Sequence, residues 1–189
     1  NASRNEVNFN AAVAWFAFET GWQGAHVNGN GTLPGGAANG VDPSMVNRVA
    51  AGRYRVDLGV NSLSDGMLFV IANNNSNMVA QTGPLDDGSG WDIRVADNAT
   101  NFGATGQDVD WSFLYLPYDT PGLTGGYYNG TSDSHMASVG DFTMNRLSDG
   151  QYELSLPGET PESGMLLLTV AKRANASGTI APDDNILVY

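Results

Sequence analysis

Two histidines, His26 and His135, are the first residues of this chain that could carry acid–base or metal chemistry. His26 lies in GAHVNG and His135 in TSDSHM. No HExxH run and no His/Asp/Ser pattern accompanies them, and two histidines lack the third ligand that a zinc site needs. Both are read as structural or solvent-facing. The chain has no cysteine, which removes disulfides, thiolate nucleophiles and cysteine-bound zinc, and leaves the redox compartment unreported. A paired-carboxylate glycosidase site is invisible at this level, because only the fold brings its two acids together. Glu19, at the end of a strand pattern, suits a turn acceptor, and Glu153 faces out of an amphipathic strand, so no catalytic residue is assigned.

Three further groups suit binding rather than catalysis. In LDDGSGWD, Asp86, Asp87 and Asp92 resemble a loop that could hold Ca²⁺ through oxygen ligands. The spacing departs from the EF-hand register, so a plain hairpin turn is favoured and calcium is the one cofactor weighed. Asp183-Asp184-Asn185 is a weaker version of the same idea. Trp22 in TGWQG and the Tyr127/Tyr128 pair in GGYYNG offer aromatic faces beside Asn and Gly that suit stacking on sugars; the competing reading makes them plugs for the ends of a sandwich. The sequons at Asn1, Asn30, Asn74, Asn98, Asn129 and Asn175 fall in expected loops and give weak support for a glycosylated extracellular surface.

The elements that must position these residues are strands. Composition already disfavours helices: 24 Gly, 15% charged residues, and turns written in Asn, Asp, Ser and Gly. RYRVDL places Tyr54, Val56 and Leu58 on one face; QYELSL does the same with Tyr152, Leu154 and Leu156; WDIRVAD turns Trp91, Ile93 and Val95 inward and Asp92 outward. GMLFVIA and GMLLLTVA are apolar on both faces, which predicts central strands covered on both sides. The best helical window is Pro43 to Ala51, enough for one or two turns. At 189 residues the chain is long enough to bury a core without staples.

The chain also matches itself. Gly52 to Leu68 aligns without gaps on Gly150 to Leu166, pairing Tyr54 with Tyr152 and Leu58 with Leu156. Val13 to Gly29 aligns on Phe113 to Gly130 with one inserted residue, pairing Thr20 with Thr120, Gly24 with Gly125 and Asn28 with Asn129. Two blocks in the same order predict a duplication. The expectation is an all-β chain of two tandem β-sandwich or jelly-roll-like units, residues 1–106 and 107–189, standing apart or packed as one pseudo-symmetric domain.

At the repeated GxYxVxL…SDGML block, and at WSFLYLPY with its WFAF counterpart, the chain resembles duplicated β-rich repeat modules of large secreted bacterial surface proteins of Planctomycetes-like type. The resemblance implies a β-rich surface module and transfers no catalytic residue. The second unit reaches NILVY with no counterpart of WDIRVADN, and the termini read as cuts from a precursor. A sandwich short of one strand leaves backbone groups and apolar surface to be covered. The expected cover is a strand from a neighbouring subunit, drawn from Asn5 to Phe18 with Val7, Phe9, Val13, Trp15, Phe16 and Phe18, and meeting Ile186 and Val188.

The function these features predict is a non-enzymatic structural or adhesive subunit, extracellular or on the cell surface, that forms a homo-oligomer or polymer. The alternative is a carbohydrate-binding module. A net charge of −12 argues against nucleic acid and anionic membranes as partners, and no apolar run spans a bilayer.

Overall fold

Strands form where Val, Ile and aromatic residues alternate with polar ones over short runs closed by Gly, Asp and Asn. The computed structural model describes residues 21–73, 78–97, 106–129, 134–148, 151–160 and 162–171. In chain order its strands are β1 (Gln23–Val27), β2 (Ala38–Asn39), β3 (Val46–Ala50), β4 (Arg53–Val56), β5 (Gly66–Ala72), β6 (Met78–Pro84), β7 (Trp91–Asp97), β8 (Trp111–Pro117), β9 (Gly125–Asn129), β10 (Ser134–Val139), β11 (Thr143–Ser148) and β12 (Gln151–Ser155). Among the described residues the window read as helical gives only a 3-10 turn, Pro43–Met45, capped by Asp42, whose Oδ1 accepts from Ser44 N at 2.8 Å. The residues after it leave the helical path because Val46–Ala50 pairs with β4.

Eight strands build two four-stranded sheets, β2-β1-β8-β5 and β3-β4-β7-β6, with antiparallel neighbours throughout. They pack as a β-sandwich. One sheet sends Ala25, Val27, Leu68, Trp111, Phe113 and Tyr115 into the core; the other sends Val46, Tyr54, Val56, Trp91, Ile93 and Val95. Tilted ring pairs tie the layers together, Tyr54 with Trp111 at 5.0 Å and Trp91 with Tyr115 at 5.4 Å between centroids. The all-β expectation holds, and the alternation of β4 and β7 is as read from sequence. The turn between β3 and β4 needs Gly52, whose φ is +60° and where a Cβ would stand 2.3 Å from the Val95 carbonyl oxygen.

Two strand assignments need correction. GMLFVIA forms β5, but among the described residues it stands at the edge of its sheet rather than at the centre, with Leu68 fully buried and Ile71 64% exposed. An apolar run reports that a segment is buried somewhere, not how many neighbours it has. GMLLLTVA forms no strand: residues 164–170 are irregular, and their regular pairing is a single parallel bridge from Ala171 to Thr82, with Thr82 N donating to Val170 O at 3.3 Å.

The remaining strands form two hairpins, β9–β10 and β11–β12. Within β3–β4 the pairs are Val46↔Val56, Arg48↔Tyr54 and Ala50↔Arg53, with a bulge between Arg48 and Ala50. Within β11–β12 they are Met144↔Leu154, Arg146↔Tyr152 and Ser148↔Gln151, with a bulge between Arg146 and Ser148. Every partner is displaced by the same 98 residues. The β1–β2 pair Gly24↔Asn39 likewise has its match in Gly125↔Val139 of β9–β10, and each hairpin leads into a positive-φ glycine, Gly40 and Gly140. The surroundings differ, however. Tyr54 is fully buried, whereas Tyr152, Leu154 and Leu156 are half-buried, contrary to the core positions expected for them. No second sheet covers them among the described residues. β8, from beyond residue 107, lies between β1 and β5.

Candidate functional site

The register of β1 on β8 sets His26 opposite Ser112 on the outer face of the first sheet, since Ala25 and Val27 point inward. His26 Nδ1 lies 3.3 Å from Ser112 Oγ and 2.7 Å from Asn73 Nδ2, which also donates to Ser112 Oγ at 2.5 Å. His26 Nε2 lies 3.8 Å from Asp110 Oδ2. A Ser/His/Asp set therefore exists in space that no sequence pattern announced. Asp110 and Ser112, two apart, share a face of the chain, but matching them to His26 requires a register across 86 residues.

Nucleophilic catalysis needs more than this set. The base must be held by the carboxylate, and donors must await the developing oxyanion. Here Asp110 stands beyond hydrogen-bond range of the ring, and the nitrogen facing Ser112 also faces the Asn73 amide. The side chains of His26 and Asp110 are 35% and 50% exposed on an open sheet face. What the cluster does is join loops: Asn73 N donates to Asp110 O at 2.7 Å, and Gly29 N donates to Asp110 Oδ1 at 2.9 Å.

Beside it is a shallow depression of about 600 Å³ lined by Asn28, Gly29, Asn30, Arg48, Asp108 and Asp110. Its one guanidinium is engaged. Arg48 Nε and Nη2 donate to the two Asp108 oxygens at 3.0 and 2.6 Å, and Gly52 N donates to Asp108 Oδ1 at 3.0 Å. The Arg48 hydrogen bond, then that from Gly52, holds the Asp108 carboxyl below its ordinary pKa. This latch fastens the stretch before β8 to the β3–β4 hairpin.

The aromatic residues offered for sugar binding are divided by the fold. Tyr127 is 6% exposed, and its hydroxyl accepts from Leu68 N at 3.1 Å and Trp91 Nε1 at 2.9 Å. It is a plug between β9 and the sandwich and is removed from the sugar-binding set. Tyr128 is half-buried, edge-on to His135 at 5.4 Å and to Tyr152 at 5.6 Å. His135 lies in β10 rather than in a loop and packs edge-on against Phe142 at 4.7 Å. Trp22 is half-buried, and its carbonyl accepts from Asn39 Nδ2 at 2.8 Å.

Burial pushes the Tyr54, Tyr115 and Tyr127 phenols up to about 12. The folded protein therefore holds these protons more tightly than the unfolded chain, whose phenols titrate near 10. The stability they contribute is whole below pH ~10 and is lost as pH rises from there through about 12. Denaturant midpoints taken at rising alkaline pH should fall over that window, and Tyr127→Phe should soften the fall. A flat profile from pH 9 to 12 would contradict the burial.

The acidic loop is a hairpin turn. Asp87 Oδ1 accepts from Ser89 N at 3.0 Å and Ser89 Oγ at 2.7 Å, while Leu85 N donates to Gly90 O at 2.8 Å. Asp92 lies on the face of β7 opposite Trp91 and Ile93, as expected, yet it is buried there and receives Arg53 Nη2 at 2.9 Å. Asp86, Asp87 and Asp92 do not assemble as a calcium site, and no group of three acidic or histidine side chains among the described residues could hold a metal ion. Of the sequons, Asn30 is exposed, with its Oδ1 accepting from Thr32 N and Oγ1, and Asn129 is half-buried in β9. Asn74, Asn98 and Asn175 lie outside the described residues, as do Val7, Phe9, Val13, Trp15, Phe16, Phe18, Ile186 and Val188.

A group of exposed apolar side chains lies on and after the β11–β12 hairpin. Leu147, Met165, Leu166 and Leu168 are 58%, 56%, 41% and 39% exposed. Among the described residues β9 pairs only with β10, and β12 only with β11. An isolated two-stranded hairpin is marginal in water. No helix among the described residues is long and apolar enough to cross a membrane.

Among the described residues the fold is an all-β sandwich with two further hairpins. In comparisons with known proteins, no family model, no curated protein and no solved structure matches the chain.

Proposed function

We propose that this chain is a non-enzymatic structural module of an extracellular assembly, such as a filament, sheath, surface layer or adhesin, and that it joins its like through β-strand contacts. The observation carrying this reading is the contrast between repeated segments: Met67 and Leu68 are 7% and 0% exposed, while Met165 and Leu166, in the same GML sequence, are 56% and 41% exposed. Apolar side chains placed like this beside two-stranded sheets belong to an interface. Sedimentation across a concentration series should show mass rising above 19.9 kDa, and Leu166→Asp with Leu168→Asp should abolish that rise. A monomer persisting at high concentration would overturn the reading. The alternative, a carbohydrate-binding module, keeps Trp22 and Tyr128 as its half-buried aromatic residues and loses Tyr127.

A further inference from the structure

We propose that Arg55 and Arg94, on the outer face of the second sheet, form a carboxylate site that takes Glu153 of a second copy of this chain. The proposal rests on the assembly reading above and supplies a contact through which copies meet.

The site comes from the register of β4 on β7. Tyr54, Val56, Ile93 and Val95 face the core, so the alternate residues Arg53, Arg55, Asp92 and Arg94 stand on the outer face. Arg53 lies opposite Arg94 and Arg55 opposite Asp92, which makes a square of three cations and one anion. Arg53 closes one diagonal of the square with its bonds to Asp92. The other diagonal runs from Arg55 to Arg94, two guanidinium side chains whose Cα atoms in such a ladder are about 7–8 Å apart.

These two are not paired as Arg53 is. Arg94 is half-buried, and its Nε is shielded from solvent with no hydrogen-bond partner. Arg55 is exposed and acts on the Asp87 carboxyl through space. Among the described residues neither guanidinium forms an ion pair. A shielded donor left unmet, directly across from a second arginine, costs stability. Acids outnumber bases 20 to 8 in this chain, yet three of the eight bases gather in this square. A carboxylate set between Arg55 and Arg94 accepts from both and satisfies the unmet donor.

The occupant is argued from charge and from the repeat. Copies of a chain with a net charge of −12 repel one another, so a contact between them needs cation set against acid. β11–β12 repeats the register of β3–β4 at a displacement of 98 residues, with Asn145↔Glu153 for Asn47↔Arg55. The charge at the repeated position is thereby reversed, and Glu153 is exposed. Each hairpin also shows an exposed apolar residue at its bulge, Val49 at 46% and Leu147 at 58%. The basic hairpin lies in the sandwich and the acidic one outside its two four-stranded sheets. The chain therefore carries two like-shaped surfaces of opposite charge, each with an apolar side chain beside the charge.

Charge reversal tests the pairing. Arg55→Glu and Glu153→Arg both change exposed side chains, so each variant should keep the parent's thermal melt. In sedimentation across a concentration series, each alone should associate at least about tenfold more weakly than the parent. Mixed in equal amounts the two should recover association, because the Arg55 of one meets the Glu153 of the other and the reversed pair is complementary as well. Arg94→Gln, with Arg55 and Glu153 untouched, should also weaken association. Parent-level association of any one of these three variants, or a mixture no stronger than its components, would overturn the proposal. Either result leaves the assembly reading standing as long as the parent assembles; a parent that stays monomeric removes both.

Discussion

Leu68→Ala should destabilise the protein by about 2–5 kcal/mol, while Leu166→Ala, the same change at the repeated position, should stay within about 0.5 kcal/mol when the protein is monomeric. The reason lies in surroundings rather than in residue type. Leu68 is fully buried among Val27, Trp91, Phe113, Tyr115 and the rest of the core, where truncation loses transfer free energy and leaves a cavity. Leu166 is 41% exposed, and water fills the space its side chain vacates. For a chain of this size each kcal/mol moves the Tm by roughly 2–4 °C, so thermal melts of the two variants should separate clearly. The pair also reports on assembly: once copies associate, Leu166→Ala should weaken association while Leu68→Ala acts on folding. Equal costs in dilute monomer would mean that the two leucines share an environment.

How far the fold could be read in advance depended on whether the deciding interaction was local. Tyr54, Val56 and Leu58 announce their face by alternation, as do Trp91, Ile93 and Val95, because the pleat alone sets that pattern and one face is buried. The turn words worked for the same reason: Asp87, Gly88 and Ser89 close the β6–β7 hairpin with bonds made inside the turn. The 98-residue displacement between β4 and β12 was visible in the aligned stretches Gly52–Leu68 and Gly150–Leu166, and the register of β11–β12, with its bulge, repeats that of β3–β4. What escaped was set by distant partners. GMLFVIA and GMLLLTVA look alike, and among the described residues it is the one with β8 beside it that forms a strand. His26, Ser112 and Asp110 meet through a pairing no local pattern encodes. For Tyr127 the sequence left a displayed ring and a sandwich plug both open, and the bonds that its hydroxyl accepts from the Leu68 amide and the Trp91 indole, which no local pattern encodes, decide for the plug. Asp92 alternated outward correctly, yet the outer face of its sheet is not solvent at that point.

That burial makes Arg53→Met the other variant with a large expected effect, a loss of about 3–5 kcal/mol. Arg53 and Asp92 sit on adjacent strands, β4 and β7, each two residues along its strand from the other's partner: Arg53 pairs with Arg94 and Arg55 with Asp92. The diagonal brings the guanidinium onto the carboxylate, with Nε 3.1 Å from each oxygen and Nη2 2.9 Å from Oδ2. The side chains are 18% and 1% exposed, so water does little for the carboxylate once the cation is gone. Methionine keeps most of the arginine stem and its packing and removes the charge, so the loss measures what the Arg53 guanidinium does for a carboxylate in a poorly solvated place. The double variant Arg53→Met/Asp92→Leu should recover most of the loss, because replacing a buried pair with apolar groups of similar volume is often neutral or stabilising. Urea unfolding of both singles and the double gives the coupling directly. If Arg53→Met costs under about 1 kcal/mol, the value of a solvent-screened surface pair, then Asp92 is not the buried anion described for this sheet.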